Sequence, residues 1–337
     1  MRPLWTAASQ AIAMLDALGS LAEVSSQAGF TRPLILDCSA DASPEIDVIQ
    51  GKHPCVGVTH GGIDFVPNNL KLGGNHESSK VDCARAMLLS GPNMGGKSTL
   101  LRQTCLITIL AQIGCFVPAE KCSLTPIDRI FTRLGASDRI LLGQSTFFVE
   151  LAETAAALRG ATRRSLVIMD ELGRGTSTFD GTAIASATLK YLVERNKCIT
   201  MFATHYHSLL EDWKDQPRVR FGHMECLVEN EGEATADVTL QDRNSKNITF
   251  LYTLGEGSCP KSFGINVARL AGLPQEVISM ASEVSSLFEA QIIGKKEKVV
   301  TATENALSLK QKIVHAMNDE NWDEVEQIWS NLGTSHS

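Results

Sequence analysis

The sequence predicts an α/β fold built on a doubly wound sheet, and three observations carry that expectation. Three apolar runs, Ala86 to Leu89, Leu166 to Met169 and Cys198 to Ala203, have the length and content of buried parallel strands. Helical patterns lie between them, which is the alternation of strands joined by crossover helices. Each run is followed directly by a polar motif, so those motifs are expected to converge at the carboxyl edge of the sheet, where such folds bind their ligands.

The remaining elements follow in chain order. From Trp5 to Val24 the residues Ile12, Leu15, Leu18, Leu21 and Val24 recur at near-helical spacing and predict an amphipathic helix with one buried stripe. Residues 1 to 24 have no basic start followed by an unbroken apolar core, and Asp16 interrupts the best candidate, so neither a secretory signal nor a membrane span is expected. Pro33, Pro44, Pro54 and Pro67 punctuate short β-like runs at Leu34 to Leu36 and Ile46 to Ile49, ending in the polar segment Lys71 to Lys80. Beyond Leu209, His223 to Glu229 and Ile248 to Leu254 predict a small antiparallel part, a hairpin with the polar loop Asn230 to Asn247. Lys261 to Ala271, the turn Gly272-Leu273-Pro274 and Gln275 to Ala290 form a helix-turn-helix pattern. The tail from Lys295 ends in a helical run to which the sequence assigns no role, and there is no internal repeat.

Composition sets bounds. With 337 residues, 43% hydrophobic and 20% charged, the chain is an ordinary globular sequence and not a disordered one. A formal charge of -7 argues against a surface that grips nucleic acid throughout, because that grip needs clustered lysine and arginine. The nine cysteines include no CxxC pair and no histidine at zinc-ligand spacing, which predicts reduced, buried thiols in a cytosolic or nuclear compartment.

The chemistry lies in four motifs. Gly91, Pro92, Asn93, Met94, Gly95, Gly96, Lys97, Ser98 and Thr99 contain GxxxxGK[ST] between a predicted strand and a predicted helix, the P-loop of a nucleoside triphosphatase. Its glycines let backbone N–H groups approach phosphate oxygens, Lys97 reaches the β and γ phosphates of ATP, and Ser98 ligates Mg²⁺. The apolar run ending in Asp170 and Glu171 supplies the expected partner: Asp170 holds Mg²⁺ directly or through water, and Glu171 polarises the attacking water. His205 follows the third run and can reach the γ-phosphate edge as a sensor of ATP against ADP. Ser145 or Thr146 caps a helix whose start is a natural anion site, and a cap with no further role stays open on this signal alone.

Taken together, Gly-Pro-Asn-Met-Gly-Gly-Lys-Ser-Thr, Ser-Thr-Phe-Phe-Val-Glu, Asp-Glu-Leu-Gly-Arg-Gly-Thr-Ser-Thr-Phe-Asp-Gly and Ala-Thr-His-Tyr-His resemble the MutS mismatch-repair ATPases over about residues 1 to 290. The runs Thr132 to Ile140, Gly222 to Glu231 and Cys259 to Gly264 look most like the branch of eukaryotic MutS homologue six. The resemblance implies an ABC-like P-loop domain at 31–258, the end of a lever helix at 1–30 and a helix-turn-helix dimerisation element at 259–290, with 291–337 unassigned. It implies composite sites, in which Ser145 reaches the nucleotide on a partner's P-loop, Asp180 lies in the D-loop and His205 is the switch histidine. Phe65 and Tyr252 match positions that flank the adenine, although the residues alone leave two ordinary core aromatics open. The implied setting is a Mg²⁺-dependent ATP hydrolase of the nucleus that senses DNA damage as one half of a heterodimer with a second MutS homologue. The same resemblance implies mismatched DNA and MutL-type proteins as partners and no membrane, while the mismatch-contacting regions are expected to be missing from this chain. Two other readings remain: an ABC-type ATPase of another kind, which lacks support because Leu-Ser-Gly-Gly-Gln is missing, and a nucleotide-dependent interaction module without turnover.

Overall fold

A computed structural model of the chain describes residues 2–37, 43–56, 65–74, 84–135, 145–228, 248–259 and 263–288. The chain divides into two compact units, 1–267 and 268–337. In order, the elements are α1 (Arg2–Ser25), β1 (Leu34–Ile35), β2 (Glu45–Gly51), β3 (Asn68–Gly73), β4 (Ala86–Ser90), α2 (Lys97–Gln112), β5 (Lys121–Leu124), β6 (Ile130–Arg133), α3 (Thr146–Gly160) and β7 (Leu166–Asp170). They continue with α4 (Thr178–Tyr191), β8 (Ile199–Ala203), α5 (His207–Asp212), β9 (Val219–Val228), β10 (Ile248–Glu256), α6 (Gly264–Leu270) and α7 at 275–288.

The central sheet has the order β10-β9-β4-β8-β7-β6. The three apolar runs are its adjacent strands β4, β8 and β7, paired in parallel and buried at every position. Strand periodicity sends alternate residues to opposite faces, and both faces are covered, which is why these runs are apolar without interruption. Met87, Leu89, Ile168 and Met201 join Leu100, Leu101 and Ile107 of α2 in one core, whereas Leu88, Val167, Met169 and Phe202 join Ala185 and Leu189 of α4 in the other. The sheet therefore fixes the starts of α2 and α4 and the ends of β7 and β8 along one edge.

Two features differ from the sequence expectation. The predicted hairpin forms, but β9 also pairs in parallel with β4, so β9 and β10 extend the central sheet and make it mixed. The β-like runs expected at Leu34 to Leu36 and Ile46 to Ile49 form as β1 and β2, but the four-stranded sheet β1-β5-β2-β3 they join was not foreseen, because β3 and β5 are short and carry lysine and asparagine on their open face. It packs its inner residues, among them Ile46, Val48, Leu70, Leu72 and Leu124, into the same core as α2.

The amphipathic helix is present as α1, yet its stripe is not buried: Ile12, Leu15 and Leu18 are 66%, 71% and 57% exposed. The end of the helix is tied down where Ser25 Oγ accepts a bond from Phe116 N at 3.0 Å. The predicted loop at 230–247 and the tail from residue 291 lie outside the described residues. In the second unit, Gly272 at φ 79° stops the preceding helix in the left-handed region, and α7 begins after Pro274.

Candidate functional site

The turn from β4 into α2 is a cradle of backbone donors. Gly96 occupies the N-cap at φ 99°, a conformation that favours glycine, and no side chain caps α2. The first N–H groups of α2 thus keep no side-chain acceptor and are open to an anion, with the helix dipole favouring negative charge there. Lys97, 5% exposed, folds its ammonium back onto the loop, donating to Gly91 O at 2.9 Å, Pro92 O at 3.0 Å and Asn93 Oδ1 at 3.4 Å. Burial lowers its pKa, and the carboxylates of Glu171 and Asp170 work against that shift.

At the end of β7, Asp170 faces the start of α2. Ser98 Oγ donates to Asp170 Oδ2 at 2.6 Å, while Asp170 Oδ1 is buried without a hydrogen-bond partner. Burial raises the Asp170 pKa, and the Ser98 hydrogen bond pulls it back. A buried carboxylate oxygen with no partner is costly, and a hydroxyl beside it completes a hard oxygen pair of the kind that holds Mg²⁺. The residues present fit that ion.

Glu171 departs from β7 at φ 54°, its N–H bonded to Ala203 O at 3.0 Å, and its carboxylate meets Arg174 at 2.9 Å. Among the described residues five other than glycine have positive φ, and three of them, Met94, Glu171 and Tyr252, belong to the predicted site. Strain of this kind concentrates where function over-determines the backbone. His205 is exposed at the end of β8 and lines a smaller cavity with Gly91, Pro92 and Asn93. Desolvation of its ring lowers its pKa, with the nearby Glu171 carboxylate opposing, so the ring is neutral at pH 7.

Beside the P-loop is a cavity of about 460 Å³. Phe65 and Tyr252 both line it, together with Asn93, Met94, Lys97, Ser98 and Thr99. Phe65 lies just before β3 and Tyr252 within β10, and one buried side chain ties the two segments together. Asn68 donates through Nδ2 to Tyr252 O at 2.9 Å and Val66 O at 3.3 Å, and its Oδ1 accepts from Leu254 N at 2.6 Å. Tyr252 O and Leu254 N lie at the register shift in β10, so Asn68 holds the bulge that presents Tyr252. Sequence reasoning passed over Asn68, whose only signal is its place directly after Phe65-Val66-Pro67.

Ser145 and Asp180 do not line this cavity. Ser145 is the N-cap of α3, accepting from Phe148 N at 3.2 Å, and accepting one bond leaves its hydroxyl proton able to donate elsewhere. Asp180 closes a reciprocal cap with Ser177 at the start of α4, through bonds of 2.9 and 3.2 Å. A further group was missed by sequence reasoning. Glu150 on α3, 3% exposed, accepts from Gly173 N at 2.5 Å and from Arg133 Nη2, and Gly173 O accepts from the Tyr206 hydroxyl at 2.9 Å. The Gly173 peptide, two residues after Glu171, is thereby held between the helix that Ser145 starts and the loop that carries His205. Gly181 packs so closely against it that an added Cβ would lie 2.4 Å from Gly173 O and from the Tyr206 oxygen.

The cysteines of the core are inert by this geometry: burial pushes the Cys105 thiol up to about 12 and the Cys122 thiol up to about 11.

Comparison with known proteins adds the family. Residues 87–289 match MutS domain V. Over 287 residues the chain is 53% identical to the DNA mismatch repair protein Msh6 of Gallus gallus, which covers 85% of this chain and 21% of that protein. The corresponding figures for Msh6 of Homo sapiens are 52%, 85% and 20%. The DNA mismatch repair protein MutS of Anaeromyxobacter dehalogenans is 42% identical over 285 residues, 84% of this chain and 30% of its own length. The chain thus spans about a fifth of the length of the two Msh6 proteins.

Proposed function

The chain belongs to the MutS family of DNA mismatch repair proteins, close to Msh6, and on that premise we propose that it is a Mg²⁺-dependent ATPase region that couples ATP to mismatch signalling. The observation that carries the reading is the Ser98–Asp170 pair, with its partnerless buried oxygen, next to the anion cradle of α2. Lys97 and the first N–H groups of α2 bind the phosphates, and Ser98 and Asp170 hold Mg²⁺. When held there, Mg²⁺ would supply positive charge against the charge that develops on the phosphates. Glu171 orients the attacking water as a general base, and neutral His205 donates or accepts one hydrogen bond at the γ-phosphate edge. Phe65 and Tyr252 flank the base.

In this reading the site is composite. Ser145 completes the nucleotide site of a second MutS homologue, and Asp180 lies where the two would meet. Residues 259–290 act as a helix-turn-helix dimerisation element, a role supported by the exposed apolar residues Val277, Met280, Val284, Leu287 and Phe288 along α7. The end of a lever helix at 1–30 and an ABC-like domain at 31–258 complete the assignment. The heterodimer acts in the nucleus on mismatched DNA, signals to MutL-type proteins and needs no membrane; no described helix is long and apolar enough to cross one.

The test is turnover by the purified chain against Glu171→Gln. Mg²⁺-dependent hydrolysis is expected to fall by about a hundredfold or more, with ATP binding retained. Equal rates would overturn the assignment of Glu171.

A further inference from the structure

We propose that Glu150 is a positioning residue for the general base, holding the turn that carries Glu171 by accepting the Gly173 N–H. The inference rests on the proposed role of Glu171 and adds the group that keeps its carboxylate in place on the wall of the 460 Å³ cavity. Glu171 sits at φ 54°, in the left-handed region, a strained conformation for a residue other than glycine that persists only where the surroundings enforce it. Its own side chain does not enforce it: Arg174, the partner of its carboxylate, is 69% exposed, and so exposed an ion pair contributes little.

The backbone on either side does. Glu171 N donates to Ala203 O at 3.0 Å, and Leu172 is 1% exposed in the core that also holds Met169 and Phe202. One residue further, the Gly173 peptide is gripped at both ends, its N–H by Glu150 Oε1 at 2.5 Å and its carbonyl by the Tyr206 hydroxyl at 2.9 Å. Glu150 is the charged member of this set and is itself immobilised. It is 3% exposed, its Oε2 accepts from Arg133 Nη2, and Arg133 Nη1 donates to Gly135 O at 2.6 Å. Toward α4 the turn is closely packed, since a Cβ on Gly173 would lie 2.6 Å from Gly181 O.

Stability alone does not call for the charges of Arg133 and Glu150, because a buried ion pair is often equalled or bettered by apolar side chains of similar volume. What apolar side chains cannot offer is an acceptor for the Gly173 N–H, and a charged acceptor makes the stronger bond. Without that bond the strained turn has one anchor fewer, Glu171 relaxes toward an ordinary φ, and its side chain is aimed elsewhere. Misplacing a reacting group by about 1 Å costs on the order of a hundredfold in rate.

The experiment separates the acceptor from the charge in the full chain with Mg²⁺ and ATP. In one double variant, Arg133→Met with Glu150→Gln, both charges are gone and an amide oxygen remains to accept from Gly173 N–H; in the other, Arg133→Met with Glu150→Met, the acceptor is gone too. The Arg133 charge, which helps to hold the Asp170 pKa down, is missing from both, so any effect through Asp170 cancels. The glutamine form is expected to keep most of the wild-type turnover and the methionine form to lose about ten- to a hundredfold, with ATP affinity alike in both, which also certifies folding. Adding Glu171→Gln to each should bring them to one common low rate, because a residue that acts through another has no effect once that other is absent. Equal turnover of the two double variants would overturn the proposal, as would a difference that persists in the Glu171→Gln background. Should the methionine form fail to bind ATP, Glu150→Asp keeps a charge opposite Arg133 and shortens the reach to Gly173; its turnover must then fall at unchanged ATP affinity, and a wild-type rate overturns the proposal. If Glu171→Gln alone hydrolyses ATP as fast as the wild type, the base itself is misassigned, and the role of Glu150 falls with it.

Discussion

Lys97 satisfies its ammonium with two carbonyls and an amide oxygen of its own loop. A triphosphate at the start of α2 offers the same donor charged oxygens in place of neutral ones, and charge-assisted bonds are about twice as strong. Replacing Lys97 with alanine is therefore expected to weaken ATP binding by at least about tenfold, measured by titration calorimetry; unchanged affinity would count against the P-loop reading. His205 yields a prediction in pH. Its folded pKa lies below the ordinary 6.5, chiefly through desolvation. In that window the unfolded chain binds a proton that the native ring refuses, so this contribution to stability is complete above pH 6.5 and is lost as pH falls from 6.5 through the lowered pKa. The loss on acidification should be shallower in His205→Gln than in the wild type in urea titrations across that range. At this scale the sequence is legible wherever chemistry is written in contiguous residues, as from Gly91 to Thr99. It is opaque for Asn68, whose partners Tyr252 and Leu254 lie 184 and 186 residues away and become neighbours only through the fold.

Among the elements, α3 is joined to β6 by a buried ion pair and to the loop after β7 by the Gly173 N–H that Glu150 accepts. Arg133 and Glu150 have side chains only 5% and 3% exposed, so removing either leaves the other's charge buried with neutral backbone partners and without its counter-charge. Glu150→Ala should cost about 3 to 5 kcal/mol, read from the urea midpoint at constant slope. A milder probe is Tyr206→Phe, which deletes the one hydroxyl bonded to Gly173 O. It should cost about 0.5 to 1.5 kcal/mol and lower turnover more than ATP affinity, because the Gly173 peptide follows Glu171 by two residues and touches no phosphate-binding group. An equal loss in both would mean that Tyr206 only stabilises the fold. The elements differ in how far they could be foreseen, and the reason is burial. β4, β7 and β8 are covered on both faces and so read as unbroken apolar runs. The run at Leu34 to Leu36 was readable and is β1, whereas β5, Lys-Cys-Ser-Leu, has too few residues for a period to register and takes its place from the strands on either side, β1 and β2.

For the molecule as a whole, periodicity says that a helix face needs cover but not what covers it. α1 makes the point: its stripe was readable, its burial was not, since nothing among the described residues covers Ile12, Leu15 or Leu18. The same logic applies to α7 and to the apolar side chains near the caps, where Phe148 is 55% and Phe179 90% exposed. Phe179 stands beside Asp180, and Phe148 lies in the first turn of the helix that Ser145 caps. A phenylalanine fully in water forgoes about 1.5 to 3 kcal/mol of burial, and in the proposed heterodimer Phe179, with the half-exposed Phe148, would be covered by the second MutS homologue. Mixing the chain with such a homologue should then raise hydrolysis per chain. Phe179→Ser is expected to cancel that rise and to leave ATP affinity of the isolated chain unchanged, because Phe179 lines no nucleotide-binding wall. Val284→Asp on α7 should weaken association in sedimentation while the isolated chain still binds ATP. If stimulation survives Phe179→Ser and association survives Val284→Asp, pairing uses neither surface, and the nucleotide site would have to complete itself within one chain.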